Sequence, residues 1–477
     1  MMLSECAKAV HGDLIGEDVA VSSVSIDTRG IQPGQLYVAI KGENFDGNAF
    51  VAQAIQAGAT AAIVNQSGAT NVGANVSYIV VDDTRLALAE LAGVWRSRMA
   101  IPTDLEPLPS QSLAVVGITG SNGKTTVKEM VAAILSVNGN VLYTQGNLNN
   151  DIGVPLTLLR LNEQHRYAVI EMGANHPGEI AYTSRFAQAD VAVVTNAGPA
   201  HLEGFGNIEG VAKSKGEIYQ ALKQTGTAII NRDDAFFDYW KSVVGARKAI
   251  TFGFHQDADV TAKSVKLEIL ANANIEATVK SARFATRFEL LTANGGIEIN
   301  LRLAGRHNVI NALAAAASAI ALDIELDQIK QGLESLQPVK GRLQPLIGQR
   351  GNIVIDDTYN ANAASLEAGL DVLINCPGKP WLILGAFGEQ GPNSAKIHQG
   401  LGELIKAKGI VRLMAVGADA RNTVQAFGQS GRFFATQNEL IEALKNELTG
   451  GEAILIKGSR AQRMENVVAM LLETTGT

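Results

Sequence analysis

Apolar positions along this chain follow two alternating patterns. Short unbroken apolar runs, "SLAVVGIT" (residues 112–119), "YAVIEMG" (167–173) and "ADVAVVTNAG" (189–198), suit strands buried on both faces of a parallel sheet. Between them the apolar residues recur at helical spacing. In "TTVKEMVAAILSVNG", Val127, Met130, Val131, Ile134 and Leu135 share one face, and Gly139 supplies a stop. The alternation predicts a doubly wound α/β unit around a central parallel sheet. Residues 260–303 are β-rich and less regular, a meander appended to that unit. "HNVINALAAAASAIAL" follows as a buried helix of small residues.

The same alternation recurs towards both ends. "QLYVAI" and "AAIVNQ" read as short strands, and "NAFVAQAIQAGA" as a helix ending near Gly58. Past Val339, "NIVIDDTY", "PWLILGAF", "VRLMAVG" and "EAILIKGS" read as strands with helices between them. "AIPTDLEPLPSQS" (100–112) concentrates Pro102, Pro107 and Pro109. Proline fixes φ and donates no hydrogen bond, so this stretch reads as a linker. A second connector, "QPVKGRLQP", surrounds Val339. Three domains are expected, 1–105, 106–338 and 339–477, since 477 residues exceed one ordinary core.

Composition narrows the class. The chain is 46% apolar and 18% charged with a net charge of −7, and no Lys/Arg block stands out, which argues against nucleic acid as the main partner. Cys6 and Cys376 are far apart and lack metal-type spacing, which fits a reducing compartment. The first residues show no basic segment followed by an apolar one, and the alanine-rich run 312–322 is shorter than the roughly 18 residues of a membrane span. The expectation is a cytoplasmic monomer without membrane insertion.

Candidate chemistry begins at "GITGSNGKTT" (117–126). The pattern G-x-x-x-x-G-K-[ST] requires glycine five residues before Gly123, and Ile118 stands there instead. The context still suits a phosphate cradle: a buried strand, a turn through Gly120, Ser121, Asn122 and Gly123, then a helix start whose free N–H groups face an anion. Lys124 can reach phosphates and the Thr125 hydroxyl can ligate Mg²⁺. Glu171, at the carboxyl end of "YAVIEM", lies where α/β sheets hold their ligands, and a carboxylate there needs a cation. By spacing alone His201, Asn196 and the lysines Lys213 and Lys215 read as loop, turn and solvated-helix residues.

Taken together, "GITGSNGKTT", "TQGNLNNDIGVPLTLL", "VIEMGANHPGEI", "TNAGPAHLEGFG", "AKSKGEIY", "GRHNVINALAAA" and "IDDTYNAN" resemble the Mur ligases of bacterial cell-wall synthesis. The family's phosphate loop carries its glycines at these positions. "GNLNNDIGVP", "MGANHPGEI", "AHLEGFG" and "IKGSRAQRME" look most like the members that join D-alanyl-D-alanine to UDP-N-acetylmuramoyl-tripeptide.

The resemblance implies an α/β fold of three domains, with a P-loop-type centre between an N-terminal UDP-substrate domain and a C-terminal Rossmann-like domain. It implies that Lys124, Thr125 and Thr126 bind the phosphates of ATP, with Asn311, Arg342 and Asp357 also on the nucleotide. Thr125 and Glu171 would hold magnesium and His201 a second ion, and Lys215 matches a position carbamylated in several of these ligases. Ser25, Asp27, Arg29, Lys41, Asp46 and Gly47 would meet the UDP end, where relatives commonly carry His at the position of Asn48. Thr144, Asn149 and Asn150 would line the channel to the reacting carboxylate, and Lys457, Ser459 and Arg460 would meet the incoming dipeptide. The loop "LGAFGEQG" departs from the family: relatives more usually show an acidic residue where Ala386 stands, while Glu389 is retained.

Two other readings compete. One is a related ligase that adds a single amino acid to a muramoyl peptide or to folate. The other is a nucleotide-dependent switch or transport ATPase that makes no covalent product.

Overall fold

A computed structural model describes residues 1–42, 45–73, 75–100, 113–199, 202–272, 281–388 and 393–472. His201, Glu389 and residues 101–112 of the expected linker lie outside these.

The centre is a six-stranded, wholly parallel sheet. Its order is Lys248–Phe252, Thr227–Asn231, Val191–Val194, Ala114–Thr119, His165–Glu171 and Asn140–Tyr143. The inner strands are apolar on both faces because helices cover both, forming two separate cores. From Ala114–Thr119 the chain first builds the Asn140–Tyr143 side of the sheet, then crosses to the other side. The phosphate loop therefore opens at the point where the strand order reverses, the usual ligand crevice of such sheets.

The β-rich stretch is a three-stranded antiparallel sheet of Thr261–Asn272, Ser281–Thr292 and Gly295–Leu301. It does not belong to the central unit alone. Phe288, Leu290, Ile299 and Leu301 enter the central core, whereas Phe284 enters the C-terminal one.

The N-terminal sheet has five strands, four parallel with Asp13–Ile15 antiparallel at one edge. Its last helix, Thr84–Met99, is capped by Asp83 and serves two cores. Leu88 and Leu91 pack into the N-terminal core, Ala89 and Ala92 into the central one. Arg96 fixes this junction by donating to Ala187 O at 3.1 Å and Gln188 O at 2.9 Å.

The C-terminal sheet has six strands ordered Gln344–Ile347, Ile353–Asp357, Glu452–Lys457, Lys379–Gly385, Arg412–Val416 and Gly431–Phe434, with only the first antiparallel. Asp357 and Lys457 are register partners at the carboxyl ends of neighbouring parallel strands. Among the described residues no helix is long and apolar enough to cross a membrane.

Candidate active site

The phosphate loop depends on glycine twice. Gly120 has φ +145° and Gly123 φ +83°, and a Cβ at Gly123 would stand 2.4 Å from the Asn311 side-chain oxygen. Only glycine therefore lets the helix Arg306–Ile320 bring Asn311 against the loop. The loop is braced from below: Asn122 N donates to Asn196 Oδ1 at 3.0 Å, and Thr195 Oγ1 donates to Asn122 O at 2.6 Å. Asn196 thus acts as the brace of this turn. Lys124 folds back over the loop, its Nζ 2.7 Å from Gly120 O. Burial pushes the Lys124 pKa down, opposed by the Glu171 carboxylate and reinforced by Arg342.

Glu171 is buried at its strand end. Its backbone N–H donates to Thr144 Oγ1 at 2.9 Å, and its Oε1 accepts from Asn149 Nδ2 at 2.8 Å. Its Oε2 is buried with no hydrogen-bond partner. A buried carboxylate oxygen without a donor needs a cation. Among the described residues no cluster of three or more His, Cys, Asp or Glu forms a complete metal cage. Magnesium suits that arrangement, since it takes one or two protein oxygens and completes its shell with waters and substrate phosphates. Thr144 is fully buried, so it supports Glu171 from behind and does not line a channel.

One cavity of about 350 Å³ joins Lys124, Thr125, Asn149, Asn150 and Glu171 to Arg342, Asp357 and Asn360 from the C-terminal side. A second, of about 570 Å³, lies beyond the loop and is lined by Thr126, Asn196, Asn311, Arg342 and Asp357. Arg342 and Asp357 line both. Two contacts hold the C-terminal side over the loop: Arg342 Nη2 to Thr125 Oγ1 at 3.2 Å, and Asn362 Nδ2 to Asn122 Oδ1 at 2.7 Å. The second cavity also gathers Asn231, Asp233 and Asp234. In the sequence "NRDD" looks like turn chemistry. The available signal was its position just after an apolar strand of a parallel sheet.

The dipeptide candidates separate. Lys457 is buried, with Nζ 2.5 Å from Asp357 Oδ2 and 3.1 Å from Asn360 O. Ser459 donates its hydroxyl to Ala386 O at 2.8 Å. Arg460 alone is exposed, and it lines a third cavity of about 600 Å³ with Asn147, Lys340 and Tyr359. Ala386 is buried against Gly417, where a Cβ added at Gly417 would stand 2.7 Å from the Ala386 Cβ, so only small side chains fit.

Lys215 and Lys213 are two residues apart on the helix Ile208–Gln220, hence about 200° apart around it. Lys213 is exposed and Lys215 is buried, so the two do not form the one solvated face that spacing alone suggests. Burial, with the Lys124 charge adding to it, pushes the Lys215 pKa down to about 7.

The six UDP-side candidates line none of these cavities. Ser25, Asp27 and Arg29 form one turn, where the Arg29 side chain 2.6 Å away holds Asp27 down at about 2. Asp46 accepts from Asn48 N at 3.0 Å, and Gly47 passes so close to Ile40 that a Cβ would meet its backbone at 2.8 Å. Lys41 is exposed, and its backbone pairs with that of Asp46 in an isolated antiparallel β-bridge. Asn48 is buried, donating to Ala39 O and Asp46 Oδ1 and accepting from Asn65 N. It therefore holds the loop from behind.

Family models match three stretches: the Mur ligase family, catalytic domain over residues 20–96; the Mur ligase middle domain over 118–319; and the Mur ligase, glutamate ligase domain over 341–460. The UDP-N-acetylmuramoyl-tripeptide–D-alanyl-D-alanine ligase of Escherichia coli (strain K12) is 43% identical, covering 99% of this chain and 98% of its own. The crystal structure of MurF from Acinetobacter baumannii superposes with a TM-score of 0.88 at 36% identity, over 99% of this chain and 98% of that one. MurF ligase from Thermotoga maritima in complex with ADP gives 0.80 at 27% identity, over 94% and 97%. With the phosphate loop, the partnerless Glu171 oxygen and the C-terminal residues closing over both, this likeness over nearly the whole length shows that the chain belongs to the Mur ligase family.

Proposed function

We infer that this chain is an ATP-dependent ligase that joins D-alanyl-D-alanine to UDP-N-acetylmuramoyl-tripeptide in the cytoplasm, during the synthesis of peptidoglycan precursor. The observation that carries the ligase chemistry is the first cavity, where phosphate-binding groups, a carboxylate with one oxygen lacking a partner and C-terminal cations share one space. The choice of substrates rests on the likeness to ligases of that specificity over whole chains.

A carboxylate is a poor acyl donor because oxide would have to leave. Its attack on the γ-phosphorus of ATP breaks the bond to ADP and gives an acyl phosphate. The free amine of D-alanyl-D-alanine then adds to the carbonyl carbon. Phosphate leaves as the C–O bond breaks, and the nitrogen's proton passes to solvent. No enzyme nucleophile is needed.

The protein's task is to hold two anions at reacting distance. At an effective dielectric near 20, two unit charges about 4 Å apart repel by about 4 kcal/mol. Lys124 and Arg342 offset that charge, and the loop N–H groups hold the phosphates. Thr125 and Glu171 would hold magnesium, with His201 toward a second ion, and such ions supply further neutralisation of phosphate charge. The second cavity suits the nucleoside, with Thr126, Asn311 and Asp357 beside it. Arg460, exposed in the third cavity, suits the dipeptide carboxylate. The Lys215 amine, neutral for much of the time near pH 7, can take up CO₂ and release one proton to become a carbamate beside Ala174, a residue that lines the first cavity.

Phosphate release from MgATP tests the assignment, with the two substrates added separately and then together. Release only with both, and a product heavier by the dipeptide less water, is the expected result. Release without the dipeptide, or with a single amino acid in its stead, would overturn it.

A further inference from the structure

Lys128 lies one helical turn beyond Lys124, on the helix Lys124–Leu135 that begins at the phosphate loop. Its side chain is only 2% exposed, yet it carries an ammonium. A buried charge is costly unless every donor is used. Nζ donates to Thr144 O at 2.8 Å, pairs with Glu129 Oε1 at 2.8 Å and stands 5.5 Å from the centre of the Tyr143 ring. Thr144 is fully buried, and its hydroxyl accepts the Glu171 N–H at 2.9 Å. The chain of contacts therefore runs from the helix that presents Lys124 and Thr125, through Lys128 and Thr144, to the backbone of Glu171. Glu129, the other partner of Lys128, lines the second cavity.

Resting on the reading of Thr125 and Glu171 as magnesium ligands, we propose that Lys128 is a positioning residue that fixes the separation between the phosphate loop and Glu171. The two groups belong to different elements, a helix start and a neighbouring strand end, and both must address one ion. The helix is held to the sheet by apolar side chains, Val127, Met130, Val131, Ile134 and Leu135, whose contacts are non-directional. A directed bond from its second turn to the strand end opposes a shift along the helix axis. A lysine is long enough to span the gap, and its Glu129 partner keeps the buried charge compensated.

Lys128→Met keeps the volume and removes the donors. Thr144→Val keeps the shape and removes the acceptor of the Glu171 N–H. Calorimetric titration with ADP, over a range of magnesium concentrations and in EDTA, reads the effect without turnover. Both variants are expected to bind ADP in EDTA much as the parent does. Their half-maximal magnesium concentration should rise about tenfold, the lower end of effects from residues that orient metal ligands. The double variant should be no worse than the poorer single one, and Thr144→Ser, which keeps the hydroxyl, should recover most of the loss.

An unchanged magnesium midpoint in Lys128→Met, or multiplying effects in the double variant, would overturn the proposal. If Lys128→Met does not fold, Lys128→Gln, whose shorter neutral amide gives up the ammonium's reach to Thr144 O, takes its place, and an unchanged midpoint there overturns the proposal equally. Absence of any magnesium effect in the parent would overturn the metal assignment itself and the proposal with it, a failure distinct from that of the strut.

Discussion

Arg342 places its guanidinium Nη2 3.2 Å from the hydroxyl oxygen of Thr125, reaching across the cleft from the C-terminal side to the first turn of the phosphate-loop helix. The Cζ of the same guanidinium lies 4.3 Å from the centre of the Tyr359 ring, and both residues line the first cavity. An always-charged planar donor suits a transferring phosphoryl group. Arg342→Ala should lower kcat/KM for ATP by about 10³-fold, the low end for arginines that act on phosphoryl transfer. Arg342→Lys should recover only part. Steady-state kinetics check this, and a loss below about tenfold would show that Arg342 only closes the cleft.

Lys124 bonds to carbonyl oxygens of its own loop, at 2.7 Å to Gly120 O and 3.3 Å to Ser121 O. Burial works against its charge in this position. Lys124→Met should therefore leave stability unchanged or slightly raised, while turnover falls by about 10²–10³-fold, as for loss of one group stabilising transition-state charge. Thermal unfolding and phosphate release together test this. A large fall in Tm would mean that the lysine holds the loop and not the nucleotide.

The Lys215 pKa, pushed down to about 7 mainly by burial, gives a pH prediction of definite sign. Unfolded, the amine returns to its ordinary value near 10.5. Between these values the unfolded chain binds more protons than the folded one, so stability due to this group rises with pH across that window. In buffer depleted of CO₂, the parent should be less stable than Lys215→Met near pH 7, where the buried ammonium costs stability, and the two unfolding free energies should converge as pH rises toward 10.5, with the parent gaining. Activity should fall as pH drops below about 7, where the ammonium cannot take up CO₂, and bicarbonate should raise it above that pH. Parallel stability profiles would show that the amine does not titrate in the fold.

What the sequence made legible was local. The strand, glycine turn and helix around Lys124 are contiguous, so their pattern fixed the loop and pointed to Thr125 without knowledge of the rest. Glu171 was legible because the carboxyl end of a buried parallel strand has a known position. The orientation of Thr144 and Ser459 was not, since each lies at the end of a strand where one residue faces the cavity and the next faces the core. Local pattern does not say which. Lys457 lines the first cavity, but its pairing with Asp357 joins strands a hundred residues apart. Asn231, Asp233 and Asp234 were hidden for a related reason: turn residues and ligand-facing residues have the same composition. The inner role of Lys215 needed only the helical angle between it and Lys213, but the burial that gives this angle its meaning comes from packing.

Lys457 and Arg460, three residues apart, should respond oppositely to removal. Lys457 is 1% exposed at its side chain and paired with Asp357, whereas the Arg460 side chain is 65% exposed and pairs with Glu465 at 3.0 Å on the surface. Removing one member of a buried pair costs about 3–5 kcal/mol because the other charge is left uncompensated. Lys457→Met should therefore lower the unfolding free energy by that order, and Lys457→Met/Asp357→Asn should recover much of it. Arg460→Ala should change stability by less than about 1 kcal/mol, as for exposed pairs. Its effect belongs on the substrate side: KM for D-alanyl-D-alanine should rise at least about tenfold, because a charge-assisted contact to a carboxylate is lost, with KM for ATP nearly unchanged. Denaturant titration and kinetics with the dipeptide varied separate the two. If Lys457→Met left stability intact and raised only the KM for dipeptide, the buried pair would open on binding and Lys457 would itself be the carboxylate's partner.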